Sequence, residues 1–353
     1  QPVPSGNPLH LFVDSIGTGN DTSGKRLPDW TGSRRATYQP GRIRQGKALN
    51  TFQVNRDLWN SPGIGLDLRG PPLKNDLMPD VNNSSSLNAN AYWAELTTQS
   101  FESISAEQTI ALLPVAAIEQ HGPPLPLDTD VQICRGLVKQ VMASTTGGQQ
   151  LIALPLMEIG ESSEHSDFPG TLSCPPEHLI SLWTSLGKQV QKVGIKKLLI
   201  LNTHGGQPTI VDLVAQRLRT EDQMLVVGVN SFRLGIPDGL FDPQEITNGI
   251  HAGEIETSMM LHLNPSAVKM ELSENFVSRS PLTNGSHPHI GLSGFARAAW
   301  QAQDLTRQGA IGNASNADPE RGALLIEHMV NKILQVLSDM ARFPLSSLRS
   351  EKT

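Results

Sequence analysis

The chain has 353 residues, 38% of them hydrophobic, and a formal net charge of -6 at pH 7. This is enough for a globular core, while the interspersed charges leave no basic patch for nucleic acid and no polybasic segment for a membrane surface. No apolar run reaches the roughly 20 residues that cross a bilayer. We therefore expect a soluble protein, cytoplasmic or exported, that binds neither nucleic acid nor a membrane.

Residues 1–88 differ in composition from the rest of the chain. They are rich in Gly, Pro, Asn, Asp and Arg and end at the polar run NNSSSLNAN (82–90). That composition is typical of a linker or an exposed loop. We predict a loop-rich extension over 1–88, a main domain over 89–345 and a short tail over 346–353.

The main domain contains four apolar runs of strand length. They are TIALLPVAAI (109–118), QLIALPLMEI (150–159), KKLLILNT (196–203) and MLVVGVNS (224–231). The amphipathic segments between and after them are predicted helices: VQICRGLVKQVMAS (131–144), PPEHLISLWTSLGKQVQKVG (175–194), QPTIVDLVAQRLRTE (207–221) and ERGALLIEHMVNKILQVLSDMARF (320–343). This alternation indicates an α/β fold, a mostly parallel sheet with helices on both faces.

Polar side chains collect where the first strand ends, which is where parallel sheets bind ligands. Glu119 and His121 follow that strand, and their two-residue offset sends both side chains to one side of an extended chain. A glycine and several prolines then stop regular structure. The backbone can therefore turn and bring Asp128 or Asp130 back to the same crevice.

Two later segments place similar residues at strand or helix ends. The third strand ends in His204, within NTHGG. HAGEIETSMML (251–261) reads as the start of a helix on which His251 and Glu254, three residues apart, share a face. Glu256 competes with Glu254 for the position that faces the crevice.

Carboxylates and imidazoles in one crevice predict a metal site. Mixed oxygen and nitrogen ligands suit zinc, manganese or ferrous iron, and a bridging carboxylate allows two ions. Without a cation the carboxylates would repel one another. The candidate ligands are Glu119, His121, Asp130, His204 and Glu254.

Several other sites find no support in the sequence. The sequence lacks the GxSxG motif of many serine hydrolases. Neither GxGxxG nor a P-loop follows any predicted strand. Cys134 and Cys174 lack the paired spacing of a zinc site. We interpret both as small buried residues, with one bridge between them as the open alternative.

Five motifs, in this order, resemble those of the creatininase (creatinine amidohydrolase) family: IEQHGPPLPLDTD, FPGT, NTHGG, HAGEIETS and GAIGNASNADPERG. The resemblance runs from about residue 91 to the last helix and leaves out 1–88. It implies a creatininase-type α/β fold with two divalent metal ions. It also implies hydrolysis of a non-peptide carbon–nitrogen bond in a small molecule, commonly a cyclic or formyl amide, and a homo-oligomer, often a hexamer.

The resemblance also implies roles for single residues. Glu119 and His204 would hold one metal ion and His121 the other, with Asp130 between them. Creatininase follows its ligand His with Tyr-Glu, and that Glu binds the second metal, whereas His204 is followed by Gly-Gly. Members with HGG carry HAGE, which points to Glu254.

The remaining predicted roles are catalytic and substrate-binding. Glu256 would support catalysis, or exchange roles with Glu254. His251 is predicted to carry a proton to the departing nitrogen, since histidine changes charge near neutral pH. His165, in the loop after the second strand, and Phe232, where creatininase-like chains tend to carry tryptophan, are predicted to line the substrate pocket. The alternative function is a non-catalytic binding or assembly protein that uses 1–88 to contact a partner.

Overall fold

The computed structural model describes residues 90–146, 149–283, 285–292 and 296–348. The predicted extension over 1–88 therefore lies outside the described residues, as does most of the predicted tail. Of the helices in the described part, none combines the length and the apolar content that crossing a membrane requires. Cys134 and Cys174 are both free thiols, which rules out the bridge between them.

Five parallel strands form the central sheet in the order β1-β3-β2-β4-β5. They are β1 Ala91–Tyr92, β2 Thr109–Val115, β3 Gln150–Ala153, β4 Lys197–Asn202 and β5 Leu225–Asn230. Two short strands, β6 Asn275–Phe276 and β7 Gly312–Asn313, pair antiparallel in a separate sheet.

Helices cover both faces of the sheet. They are α1 Thr129–Ser144, α2 Pro176–Lys192, α3 Pro208–Asp222, α4 Pro243–Asn248, α5 Glu254–Leu263, α6 Ala302–Leu305 and α7 Pro319–Arg342. Apolar residues of α1, α5 and α7 belong to one core cluster, and those of α2 and α3 belong to the other. The predicted α/β class is confirmed.

Strand β4 shows why the apolar runs are nearly continuous. Leu199 and Leu201 pack into the cluster under α1, α5 and α7, while Leu198 and Ile200 pack into the cluster under α2 and α3. Successive side chains alternate between faces, so a strand covered on both sides needs apolar residues at every position.

The predicted strands run past the observed ends. The run predicted over 150–159 forms strand only to Ala153, and Pro155, which has no N–H to donate, lies just beyond. Single bridges continue the pairing, as between Val115 and Met157. The run predicted over 109–118 likewise forms strand only to Val115, so the residues that follow it, including Glu119 and His121, lie outside the sheet.

Buried Lys197 ties the amino-terminal edge of the sheet to the last helix. It begins β4, and its Nζ donates to the carbonyl oxygens of Glu107 (2.8 Å) and Ala341 (2.9 Å). Ala341 lies in the last turn of α7, where free carbonyl groups attract a cation.

We expect Lys197→Met to lower the free energy of unfolding by about 2 to 4 kcal/mol, because two carbonyl oxygens lose a charged donor. Urea unfolding measures the change. Lys196→Met, at the half-buried neighbouring lysine, is the matched control and should stay within about 0.5 kcal/mol of the wild type. Equal losses in the two variants would contradict the assignment.

Candidate metal centre

Segments that follow β2 and β4 meet the amino-terminal end of α1 at one edge of the sheet. Among the described residues, four groups of side chains place potential ligand atoms within 4.8 Å of one another. Two of these groups share Asp130, and three share Glu119. The four groups are Glu119–Asp130–His204, His121–Asp130–Glu256, Glu119–His121–His251 and Glu119–Glu164–His165.

The first group is built around the ring of His204. Its Nε2 lies 2.6 Å from the carbonyl oxygen of Glu161, which can only accept, so Nε2 carries the proton. The other ring nitrogen, Nδ1, is then the atom open to a metal ion or a proton, and it faces Glu119 Oε1 at 3.1 Å and Asp130 Oδ2 at 3.2 Å. An imidazole fixed through its outer nitrogen in this way is the usual arrangement of a metal ligand.

The second group repeats this arrangement with His121. Its Nδ1 lies 3.1 Å from the carbonyl oxygen of Glu119, which leaves Nε2 directed at Asp130 Oδ1, 3.6 Å away. The carboxylate of Glu256 completes the group. Asp130 therefore lies between the two imidazoles, as a bridging ligand would.

Four buried atoms of this cluster have no hydrogen-bond partner within the described part of the chain. They are Glu119 Oε2, His121 Nε2, Asp130 Oδ2 and His204 Nδ1. Buried polar atoms are rarely left unpaired, and lone pairs directed at one another are unfavourable. Divalent cations bound among these atoms would satisfy them, so the residues present fit a metal.

Glu254 and Glu256 occupy different surroundings, although both lie in the first turn of α5. The carboxylate of Glu254 is buried and pairs with Arg321, and its Oε1 also accepts from Asn316 Nδ2 at 2.9 Å. Glu254 belongs to none of the four groups, whereas Glu256 does. The alternative Asp128 likewise lies apart, accepting from Gln132 Nε2 at 2.7 Å.

Histidines predicted for catalysis and substrate binding border the same cluster. His251 Nε2 lies 2.7 Å from the carbonyl oxygen of Gln120, and its Nδ1 faces Glu119 Oε1 at 3.9 Å. The ring of His165 stacks on that of His251, with centroids 4.3 Å apart. His165 Nδ1 lies 2.7 Å from Gln120 Nε2, and His165 Nε2 lies 3.7 Å from Glu119 Oε1.

The profile of the family described as creatinine amidohydrolase matches residues 94–337. The chain belongs to the creatininase family. Its members are hydrolases, and this chain is one of them. The match falls inside the main domain predicted over 89–345.

Curated members of the creatininase family are similar over most of their length. A mycofactocin precursor peptide peptidase of Mycolicibacterium smegmatis is 27% identical over 245 residues, 68% of this chain and 89% of the relative. The creatinine amidohydrolase of Pseudomonas putida is 24% identical over 276 residues, 72% and 98%. A 2-amino-5-formylamino-6-ribosylaminopyrimidin-4(3H)-one 5'-monophosphate deformylase of Methanococcus maripaludis is 26% identical over 223 residues, 63% and 87%.

Solved creatininases share the fold. A structure described as creatininase Mn superposes with a TM-score of 0.56 at 20% identity, covering 71% of this chain and 99% of the other. A mutant creatininase of the Zn-Zn type gives 0.53 at 22% identity, covering 71% and 98%.

The NTHGG motif of this creatininase-family chain orients His204 through a network of amides. Asn202 Oδ1 accepts from the His204 N–H at 3.0 Å, and its Nδ2 donates to the His204 carbonyl oxygen at 2.8 Å. Gln207 Nε2 donates to the same Asn202 oxygen at 2.9 Å. Thr203 Oγ1 donates to the carbonyl oxygen of Asp130 at 2.9 Å, which joins the two ligand segments.

Protons and cations compete for this cluster. Burial lowers the pKa of His121, but the neighbouring carboxylate of Asp130, aided by Glu256 and Glu119, outweighs burial and raises the pKa to about 9. Burial also acts against the charge of His204, yet Glu119 and Asp130 raise its pKa well above the usual value. In turn, burial raises the pKa of Glu119, but His204 outweighs it and lowers that pKa well below the usual range.

Three residues near the site were not predicted from the sequence. The half-buried Trp300 meets His165 edge-on at 6.1 Å. Burial raises the pKa of Glu164 to about 7, and its carboxylate lies 3.9 Å from His204 Nε2. Gln120 contacts His165 through its side chain and His251 through its backbone carbonyl. Its position inside the motif IEQHGPPLPLDTD could have suggested this.

Phe232 lies at the same edge of the sheet, in the turn after β5. The residue is 47% exposed, and the centroid of its ring lies 5.8 Å from the guanidinium carbon of Arg233. Its role in substrate binding stays a prediction.

Proposed function

We propose that this creatininase-family chain is a metal-dependent amidohydrolase that cleaves a carbon–nitrogen bond other than a peptide bond in a small cyclic or formyl amide. The observation that carries the proposal is the set of four buried, unpaired ligand atoms shared by two groups with Asp130 in common. The deformylase and creatinine amidohydrolase relatives support the bond type. The creatininase structures described as Mn and as Zn-Zn type support manganese or zinc, with iron as the third candidate.

The ligand roles follow from the groups. Glu119 and His204 would hold one ion, and His121 and Glu256 the other, with Asp130 shared between the two. When bound, two divalent cations polarise a scissile carbonyl and lower the pKa of a water molecule toward neutrality. Glu161 and Glu119 contribute their backbone carbonyls, which keep each imidazole lone pair directed inward.

His251 is placed to move the proton that the departing nitrogen needs. Its Nε2 is held by the Gln120 carbonyl, so its Nδ1 is the atom that accepts and releases a proton beside Glu119. Burial, with the nearby His121, lowers the pKa of His251, which keeps the ring neutral and able to accept. The ring of His165 stacks on that of His251, and Trp300 meets His165 edge-on.

The test combines metal analysis with a substrate panel. Purified protein is assayed on lactams, cyclic amides, formamides and short peptides before and after chelation, and again after zinc or manganese is restored. Activity that chelation removes and metal restores supports the proposal, and activity indifferent to chelation contradicts it. Chelator-sensitive hydrolysis of peptides alone would agree with a metal centre but would refute the proposed bond type. A homo-oligomer, also proposed from the family resemblance, is measured by light scattering.

Metal binding is expected to release protons and to strengthen as the pH rises. Because the pKa of His121 is raised to about 9 and that of His204 is also raised, the inward-facing nitrogen of each ring binds a second proton near neutral pH when no metal is present. A metal ion must displace these protons. The apparent affinity should therefore increase about tenfold per pH unit for each displaced proton, up to about pH 9. Calorimetry in two buffers with different ionisation enthalpies measures the release, and a pH-independent affinity would contradict the assignment.

A further inference from the structure

A buried carboxylate outside the candidate metal centre holds the segment that leads to Glu256. Glu245, in the first turn of α4, accepts a hydrogen bond at Oε1 from the backbone N–H of Glu254 (2.8 Å). Its Oε2 accepts from the backbone N–H of Asn313 (2.9 Å). One side chain thus joins the start of α5 to strand β7.

Three glycines from three segments make room for this carboxylate. A Cβ atom placed on Gly249, Gly253 or Gly312 would overlap Glu245 Oε1, well inside van der Waals contact. Gly253 belongs to the HAGE motif and Gly312 to GAIGN, neither of which the metal ligands explain. The packing around Glu245 accounts for both.

Helix geometry favours an acceptor side chain in this position. Gly253 is the N-cap of α5 and has no side chain with which to cap the helix, so Glu245 accepts from the first helical N–H in its place. The positive end of the α5 dipole attracts the carboxylate. Among the described residues no Lys, Arg or His forms an ion pair with Glu245, and burial together with the nearby carboxylates of Glu254 and Glu256 raises its pKa, so the two backbone N–H groups are what stabilise its charge.

The turn that Glu245 anchors carries His251 and leads into the first turn of α5, which carries Glu256. His251 pairs with Ile311 through its backbone, with an N···O distance of 2.7 Å from Ile311 N to His251 O. Ala252 then adopts a φ of +53°, which costs a residue with a side chain about 1 kcal/mol, and directs its N–H to the carboxylate of Glu256. Such a turn persists only when its surroundings hold it.

We propose that Glu245 is a positioning residue, which sets the orientation of Glu256 and the 249–253 turn so that the second metal ion is held. This inference rests on the proposed two-metal function. Glu245 belongs to none of the four groups of potential ligands. Its contribution acts through the start of α5 and strand β7.

The experiment is a competition titration of wild type and Glu245→Gln with a chelating dye and zinc, together with metal analysis after dialysis. Glutamine keeps the length of the side chain but replaces one acceptor oxygen with a donor that faces a backbone N–H. We expect one of the two bound ions, the one assigned to His121, Asp130 and Glu256, to lose affinity by about 10- to 100-fold and the other to change far less. Gly249→Ala, which displaces the carboxylate without removing its charge, should act in the same direction and supplies the test if Glu245→Gln does not fold.

Lys197→Met is the control for a general loss of stability, since it lies at the opposite end of β4. It should lower the urea midpoint while leaving both metal affinities unchanged. Equal weakening of both ions in Glu245→Gln, or two ions held as in wild type, would overturn the inference while the proposed function stands. A wild type that binds a single ion would instead overturn the two-ion arrangement on which this inference rests, and one that binds no ion would overturn the proposed function as well.

Discussion

Glu256→Gln is expected to lose one of two bound metal ions and to lower kcat by about 1000-fold or more, whereas Glu254→Gln keeps both ions. Glu256 belongs to the group with His121 and Asp130, and its amide analogue is a poor ligand for a divalent cation. The several kcal/mol that a cation contributes to charge stabilisation correspond to such a loss, about 4 kcal/mol for three powers of ten.

The Glu254→Gln variant is the matched control from the same helical turn. Its carboxylate pairs with Arg321 and Asn316, so the change should lower the free energy of unfolding by about 1 to 3 kcal/mol without altering metal content. Inductively coupled plasma analysis, chemical denaturation and steady-state kinetics on both variants measure these effects. Loss of metal from Glu254→Gln together with retention in Glu256→Gln would reverse the assignment.

Gly206→Ala is expected to weaken metal binding strongly, while Gly205→Ala should not. A Cβ atom at Gly206 would lie 2.5 Å from His204 Nε2 and 2.9 Å from the carbonyl oxygen of Glu161, and closer still to Glu164 Oε1. The alanine therefore pushes on the hydrogen bond that fixes the tautomer of His204. Disturbing such an outer contact typically costs about 10- to 100-fold in metal affinity or activity.

Gly205 provides a close control because the two glycines are adjacent in the same motif. A Cβ atom there meets nothing within 4 Å. Both variants would be compared by zinc titration and by kcat on whichever amide the wild type hydrolyses. Equal effects at the two positions, or none at Gly206, would contradict the proposed role of the Glu161 contact.

The sequence was sufficient to predict four of the five strands of the sheet and the segments that meet at its carboxyl edge, whereas the two-residue edge strand β1 is too short to leave a pattern. Strands buried on both faces need apolar residues at every position, so β2 and β4 could be recognised locally, as could the amphipathic helices around them. Residues that follow parallel strands are brought to one edge by the topology itself. For that reason Glu119, His121 and His204 could be placed near one another before any contact was known.

The choice between Glu254 and Glu256 could not be made in this way. Both lie in the first turn of α5, two residues apart, and residues at that spacing point in different directions from the helix axis. Which of them faces the metal centre depends on the rotation of α5. That rotation is fixed by tertiary contacts, with Arg321 holding Glu254 on one side and Glu245 holding the helix start.

The groups that orient the imidazoles of the site could not be predicted from the sequence either. His204 is held by the carbonyl of Glu161 and His251 by that of Gln120, and every residue has a carbonyl, so no residue type marks these positions. The sequence by itself determined the α/β fold and the set of acidic and imidazole residues at its edge, because burial and strand order follow from local pattern. Only the tertiary structure decided which nitrogen and which carboxylate turn inward, because that depends on backbone atoms brought together from distant segments.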